Sequence, residues 1–160
     1  MKTKTRQILE RLRDRMLSIS AMDGYRTEKI DRVTFELVSP ERIKEKNLIC
    51  ILPGDAPLTR LTADRYTTGQ TGQGIDGWRI SLLCYFKAGQ EESSYGGSIL
   101  DLEDLGGDVI NCLGNTDWSD LGFVVIVSLI SIQRYPYISQ NCSVLQIIIE
   151  VKYDFSENSA

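Results

Sequence analysis

The sequence of 160 residues contains no histidine. Histidine is the side chain that most often transfers protons in catalysis, so its absence excludes the usual acid–base pairs and catalytic triads. The four cysteines do not supply a zinc site, because they lie far apart along the chain and form no CxxC pair. A cysteine nucleophile would need a base, and neither Cys84 nor Cys142 has one beside it in the sequence. We therefore predict no enzyme activity, no metal and no cofactor.

Long hydrophobic stretches are also missing from the chain. The longest apolar run, Phe123 to Ile132, is too short to cross a bilayer as a helix. Residues 1–20 are charged throughout and lack the apolar segment of a secretory signal. Most of the cysteines fall in or beside apolar runs, where a free thiol behaves as a small hydrophobic group. The sequence therefore predicts reduced, buried thiols, assembly in the cytoplasm and no association with a membrane.

Basic residues are absent between Ala88 and Gln133, whereas residues 1–32 are rich in them. A segment whose charges are all negative repels DNA phosphate, so we expect no DNA-gripping surface in this part of the chain. The acidic residues of the segment are Glu91, Glu92, Asp101, Glu103, Asp104, Asp108, Asp117 and Asp120.

Apolar periodicity predicts two helices and five strands. The N-terminal helix has an apolar stripe and a basic outer face, which is typical of a surface helix docked on a sheet; a membrane-surface or phosphate-contacting helix is the alternative. The second helix is predicted to begin with Ser98 as its N-cap and to end at Gly114. The predicted elements are helix 5–20, strand 33–38, strand 48–52, strand 78–88, helix 98–113, strand 123–135 and strand 145–155.

The last two strands organise the predicted fold. In strand 145–155 apolar and polar residues alternate, which indicates one face in a core and one face mostly in water. In strand 123–135 apolar residues fill both faces, which places a strand inside a sheet or against a partner subunit. Helices and strands are mixed without strict βαβ alternation. We therefore predict one α+β domain over residues 1–160, with two helices on one face of a mainly antiparallel sheet and a long C-terminal β-hairpin.

A polar stretch rich in glycine and threonine, residues 55–77, separates two of the predicted strands. Connections of this length without secondary structure are uncommon in compact domains, and we predict a protruding loop. Within it, residues 72–77 match the GxGxxG pattern of dinucleotide-binding proteins. That pattern requires a strand before it and a helix after it, whereas here a loop precedes and a strand follows. We therefore do not interpret it as a nucleotide site.

Three segments of the chain carry a family resemblance. Arg6–Leu12 opens a short N-terminal helix before an extended segment, and residues 48–55, Leu-Ile-Cys-Ile-Leu-Pro-Gly-Asp, form a strand and its turn. Residues 99–105 belong to the second helix, which is followed by the hairpin that ends in residues 149–155. This arrangement resembles the tail terminator (minor tail, gpU-like) family of tailed bacteriophages over most of the chain. The similarity lies in the order and pattern of the elements.

The resemblance implies a structural protein of the virion, in the phage tail or neck. In that family six copies form a ring that caps the tail tube, ends its polymerisation and joins the tail to the head-side connector. The implied partners are further copies of the chain, the tail tube protein and the connector or neck protein, while DNA passes through without specific binding. Two alternatives stay open: another neck or tail-completion protein, and a small adaptor domain that binds a peptide along the edge of the terminal hairpin.

Two sets of residues are candidates for function under this hypothesis. An acidic lining of the ring channel would repel DNA phosphate and let the genome slide without sticking. Basic and aromatic residues of the predicted loop and the hairpin tip would contact neighbouring subunits or the tube. The candidate channel residues are Glu91, Glu92, Asp101, Glu103, Asp104 and Asp108, and the candidate contact residues are Arg60, Arg65, Tyr66, Tyr135 and Tyr137.

Overall fold

The fold is that of a computed structural model, which describes residues 2–54, 77–88, 95–139 and 142–153. The predicted loop 55–77 lies outside the described residues, apart from Gly77. The described residues form two α-helices and five β-strands. Their bounds are α1 Lys4–Leu17, β1 Arg32–Thr34, β2 Asn47–Pro53, β3 Trp78–Lys87, α2 Tyr95–Gly114, β4 Val125–Ser139 and β5 Cys142–Tyr153.

The five strands form one sheet in the order β1-β2-β3-β5-β4. Strand β1 pairs with β2 in parallel, and every other pair of neighbours is antiparallel. Strands β4 and β5 form the long C-terminal hairpin, and side chains of both helices join the sheet in one hydrophobic cluster. The predicted α+β class, with a mainly antiparallel sheet and helices on one face, is confirmed.

The main core lies between the helices and the face of the sheet that they cover. Along β5, alternate residues point into this core, as the period-two pattern predicts. Full burial of an aliphatic side chain of this size contributes about 1.5–3 kcal/mol, so the register of β5 is strongly fixed. The buried residues that the sheet contributes include Ile49, Ile51, Ile80, Leu82, Cys84, Leu145, Ile147, Ile149 and Val151.

Helix α1 begins where the sequence offers a cap. The hydroxyl of Thr3 accepts a hydrogen bond of 3.3 Å from the backbone N–H of Arg6, which satisfies one of the free donors at the helix start. The helix ends at Leu17, three residues before the predicted end. The hydroxyl of Ser18 donates to the carbonyl of Arg15 at 2.6 Å, and the chain then leaves the helix. The buried residues of α1 are Thr5, Ile8, Leu12 and Met16.

Helix α2 begins at Tyr95, so the prediction that Ser98 caps it is wrong. The prediction placed Gly96 and Gly97 before the helix, whereas the helix includes both. The predicted end at Gly114 is confirmed. Neither described helix is long and apolar enough to cross a membrane.

The other face of the sheet carries a second, smaller hydrophobic cluster. The predicted strand 33–38 is wrong from Phe35 onward, because β1 ends at Thr34. There the hydroxyl of Thr34 accepts a hydrogen bond of 3.2 Å from the N–H of Glu36, and the chain turns out of the sheet. The segment after the turn brings Val38 and Ile43 onto the second face. The buried members of the cluster are Ile43, Leu48, Cys50, Tyr85, Cys142 and Val144.

Strand β4 lies at the edge of the sheet and pairs only with β5 among the described strands. The interpretation that its two apolar faces place it inside the sheet is therefore wrong. Val125, Val127 and Ile132 pack partly against the main core, and several of the remaining apolar side chains are exposed. The alternative interpretation, a strand against a partner subunit, stays a prediction.

Candidate assembly surface on strand β4

The most exposed apolar residues of the sheet lie at one place, on and beside β4. We call them the β4 surface: Val124, Ile126, Leu129 and Ile130, which are 69%, 54%, 49% and 42% exposed. Clusters of exposed apolar side chains are unusual on proteins that act alone, and they commonly mark interaction sites. The β4 surface is therefore the candidate functional site.

Unpaired backbone accompanies these side chains. Strand β4 is 15 residues long, and its outer edge has no partner among the described strands. An edge of this kind presents a row of free N–H and C=O groups that can pair with another chain. Natural proteins usually protect such edges with charged residues, yet residues 121–133 contain none. The β4 edge is thus suited to receive a further strand.

A β-bulge interrupts the edge at Ile130. Leu129 pairs with Ile149 and Ser131 pairs with Ile148, so Ile130 is one extra residue without a partner on β5. Bulges bend and twist an edge strand, which limits uncontrolled pairing with other edges. The bulge also changes which face the following side chains use. Because of the bulge, Ile132 lies opposite Ile147 and reaches the core side of the sheet, whereas regular pairing would turn it to the other side.

Polar contacts from α1 fix the turn that leads into β4. The guanidinium of Arg11 donates to the carboxylate of Asp120 at 2.7 Å and to the carbonyl of Asp117. The hydrogen bond from Arg11 lowers the pKa of the Asp120 carboxyl. The ammonium of Lys4 lies 5.2 Å from the ring centre of Phe123, immediately before the β4 surface. The start of the edge strand is therefore held against the first helix.

An apolar groove continues the β4 surface on the helix-covered side of the sheet. It has a volume of about 170 Å³ and lies between the second half of α2 and the strands β4 and β5. Leu129 belongs both to the groove and to the β4 surface, so the exposed apolar area turns around the edge of the sheet. The residues that line the groove are Ile110, Leu113, Gly114, Val127, Leu129 and Ile149.

The candidate channel residues do not form one acidic face. Glu91 and Glu92 lie outside the described residues, and Asp101 is exposed on α2. Glu103 forms a bidentate ion pair with Arg134 of β4, with 3.1 Å between Nη2 and Oε2, and this contact lowers the pKa of the Glu103 carboxyl. Asp104 lies 3.3 Å from Nη1 of Arg26. Basic residues from outside the segment therefore pair with two of its carboxylates.

Asp108 corrects the predicted channel lining, because its side chain is buried. Its carboxylate accepts hydrogen bonds from two backbone N–H groups, those of Arg26 at 3.2 Å and Thr27 at 2.6 Å. A buried carboxylate that bonds to backbone amides fixes the loop between α1 and β1 onto α2. Asp108 is therefore a structural residue and does not face a channel.

Of the candidate contact residues, only Tyr135 is described with its side chain. It is exposed, and its hydroxyl donates to Oε1 of Gln133 at 2.6 Å. Arg60, Arg65 and Tyr66 lie outside the described residues, as does the side chain of Tyr137. Tyr135 lies further along the same edge strand as the β4 surface.

No family model and no curated protein matches this chain. Within the described residues, no group of acidic and cysteine side chains is arranged to hold a metal ion. No side-chain polar atom in this part of the chain is buried without a hydrogen-bond partner.

The four cysteines are free and buried, as predicted. Burial raises the pKa of the Cys84 thiol to about 12 and that of Cys142 to about 11. Burial also raises the pKa of Cys50. A thiol with a raised pKa stays protonated near neutral pH, and the thiolate is the nucleophilic form. These thiols are placed to fill the core.

The sequence already contained a signal for the β4 surface. The apolar residues on both faces of the predicted strand 123–135 and the absence of charge over residues 121–133 are both visible without coordinates. Only the strand order shows that β4 is an edge strand, because β5 pairs with β3 on one side and β4 on the other. The sequence therefore identified these residues as apolar, but it did not show that they lie at the edge of the sheet.

Proposed function

We propose that the protein is a tail terminator of a tailed bacteriophage. Six copies form a ring that caps the tail tube, ends its polymerisation and joins the tail to the head-side connector. The observation that carries the proposal is the β4 surface, four exposed apolar residues on an edge strand that has no outer partner among the described strands and no charge over residues 121–133. The resemblance in element order to the terminator family supports the same function.

The physical reason is that the β4 surface costs free energy while it faces water. Exposed apolar area loses roughly 25 cal/mol for each Å² left unburied, and an open edge invites uncontrolled strand pairing. A closed ring of identical copies covers the same surface on every copy and leaves no free end. A ring on a tube end therefore uses this surface and limits growth at the same time.

Some of the acidic residues keep a role in this proposal. We propose that Glu91, Glu92 and Asp101 face the DNA channel of the ring, whereas Glu103 and Asp104 are paired with Arg134 and Arg26, and Asp108 is buried. Negative side chains around the hole repel DNA phosphate, so the genome passes without binding. Neutralising these residues is expected to leave ring formation intact and to slow DNA passage.

The proposal is tested by measuring the mass of the purified protein, alone and with tube protein, by light scattering and electron microscopy. The wild type is expected to form six-membered rings or to cap tube ends. Ile126→Glu puts a carboxylate into the proposed apolar contact, and burial of an unpaired charge is unfavourable. The substitution is expected to raise the concentration needed for half assembly by about tenfold or more, which corresponds to a loss of roughly 1.4 kcal/mol or more per contact.

Ile126→Glu is chosen because it spares the fold of the single copy. Ile126 is opposite Lys152 on β5, so the new carboxylate gains a neighbour of opposite charge. Met22→Glu is the matched control, since Met22 is almost fully exposed and lies in the short turn after α1. The proposal fails if the wild type stays monomeric and ignores tube ends, or if both variants assemble equally well.

A peptide-binding adaptor is the second candidate, because the open β4 edge is also the geometry that accepts an extended peptide as an added strand. The mass of the protein in solution distinguishes the two functions. An adaptor stays monomeric at every concentration and binds peptide with one-to-one stoichiometry. A terminator assembles with itself or on a tube.

A further inference from the structure

Three basic residues form one stripe along helix α1. Lys4, Arg11 and Arg15 are seven and four residues apart, and residues at these spacings lie on the same face of an α-helix. Each of the three contacts the segment that leads from α2 to the β4 surface. We call that segment, residues 115–123, the β4 turn.

The two outer residues of the stripe contact the two ends of the β4 turn. The ammonium of Lys4 lies 5.2 Å from the ring centre of Phe123, at the end of the turn. At its beginning, Nε of Arg15 donates to Oγ1 of Thr116 at 3.4 Å. The hydroxyl of Thr116 donates in turn to the carbonyl of Cys112 in α2 at 2.7 Å. The β4 turn therefore runs antiparallel to α1 and contacts it at both ends.

Arg11 bonds to two points in the middle of the β4 turn. Its guanidinium donates to the carboxylate of Asp120 at 2.7 Å and to the carbonyl of Asp117. The carboxylate of Asp117 accepts a hydrogen bond of 2.9 Å from the N–H of Ser119, which closes the turn on itself. A planar guanidinium holds two acceptors in a fixed geometry, and its charge strengthens both hydrogen bonds. Arg11 therefore determines where the middle of the β4 turn lies relative to α1.

The β4 turn supplies acceptors but no cation of its own. It contains Asp117 and Asp120, and the chain has no basic residue between Ala88 and Gln133. The cation for these two acceptors therefore comes from another element, and α1 provides it. The bond to the carbonyl of Asp117 needs no charged partner, so it persists in salt that screens the pair with Asp120.

We infer that Arg11 is a positioning residue of the β4 surface: by holding the β4 turn against α1, it sets where Val124 and Ile126 meet a neighbouring copy. Val124 follows the turn directly, and Ile126 is the second residue of β4, so a displacement of the turn reaches both. The inference rests on the proposed ring. It adds a residue of the first helix that acts on the ring contact through the β4 turn.

The first measurement reports on the β4 turn in the single copy, at a concentration below that of assembly. Trp118 lies in the turn and is only partly buried, whereas Trp78, the other tryptophan, is buried in the main core. Arg11→Ala releases the turn from α1 and is expected to raise the quenching of tryptophan fluorescence by acrylamide, because Trp118 becomes more accessible. The measurement does not depend on ring formation.

The second measurement is the concentration needed for half assembly. Arg11→Ala is expected to raise it by about fivefold, because the displaced edge weakens every contact in the ring. Arg13→Ala is the matched control: it removes the same charge from the same helix, but Arg13 pairs with Asp14 beside it at 3.1 Å. It is expected to match the wild type in assembly and in quenching. Circular dichroism of each variant checks that its fold is retained.

Two further variants distinguish positioning from direct contact with a neighbouring copy. Arg11→Lys keeps the charge but loses the two-point geometry of the guanidinium, so its assembly is expected to lie between that of the wild type and that of Arg11→Ala. In a chain that already carries Asp120→Ala, Arg11→Ala is expected to cost less, because one of its two bonds is already gone. A residue that touched the neighbouring copy itself would cost the same in both backgrounds.

The outcomes separate this inference from the proposed function. Greater quenching and weaker assembly of Arg11→Ala, with a smaller cost in the Asp120→Ala background, support the inference. Unchanged quenching, unchanged assembly, or an equal cost in both backgrounds overturns it and leaves the ring itself standing. A wild type that is monomeric with and without tube subunits overturns the proposed function, and the inference falls with it.

Discussion

The contact between Gly106 and Leu145 determines how closely α2 lies on the sheet. A Cβ atom at Gly106 would lie 3.0 Å and 3.1 Å from the two methyl groups of Leu145. At the next residue, Gly107, a Cβ would meet nothing within 4 Å. From the sequence alone both glycines only weaken the helix, by about 1 kcal/mol each relative to alanine. The fold distinguishes them, because only Gly106 faces a buried neighbour.

Gly106→Ala and Gly107→Ala therefore form a matched pair. Gly107→Ala is expected to stabilise the protein by about 1 kcal/mol through the helix propensity of alanine. Gly106→Ala gains the same propensity but is expected to lose roughly 1–3 kcal/mol to overpacking against Leu145. Urea unfolding of the two variants measures the difference. Equal stabilisation by both substitutions would show that the helix can move away from the sheet without cost.

Asp104 and Asp108 have different environments in the fold, and the sequence does not show this difference. In the sequence Asp108 has the same chemistry as Asp104, four residues earlier, and both belong to a segment without basic residues. In the fold Asp104 meets the side chain of Arg26 at the surface, whereas Asp108 is buried against the backbone of Arg26 and Thr27. The partners are about 80 residues away, and no local pattern brings them together.

The secondary-structure elements were largely predictable because their apolar periodicity is clear. Helix α1 and strands β2, β3 and β5 occupy nearly the predicted ranges. The errors lie where local chemistry competes with the pattern. The predicted strand 33–38 is cut short by the turn at Thr34, and α2 extends into Gly96 and Gly97. In β4 the pattern gave the strand but not its position in the sheet.

The bulge at Ile130 leads to a prediction about the whole strand. Deleting Ile130 makes Leu129 and Ser131 consecutive, opposite Ile149 and Ile148, so the ladder with β5 becomes regular at this position and no side chain beside it changes face. The deletion variant is expected to keep its fold, as judged by circular dichroism. Because bulges protect edges, it is expected to scatter more light than the wild type at equal concentration.

Ile130→Ser is the control for the deletion. It keeps the bulge and removes the exposed apolar side chain, so it is expected to scatter no more light than the wild type. If the deletion variant behaves like Ile130→Ser, the bulge does not protect the edge. Loss of the native circular dichroism spectrum in the deletion variant would show that β4 needs the extra residue to pair with β5.

The assembled protein is expected to tolerate salt. The proposed ring contact uses the β4 surface, and residues 121–133 carry no charge, so screening of charges removes little of its free energy. At about 1 M NaCl the Debye length is about 3 Å, and surface ion pairs weaken accordingly. Light scattering is expected to give the same mass in low and molar salt. Dissociation at high salt would point to a contact made by charged residues instead.

The sequence by itself determined the elements, the α+β class, the buried thiols and the residues that are apolar in β4. Each of these depends on neighbours within a few positions of the chain, where periodicity and capping act. Only the tertiary structure decided that β4 is an edge, that Asp108 is buried and that Gly106 faces Leu145. These facts arise from pairing and packing between distant segments, which local sequence patterns do not specify.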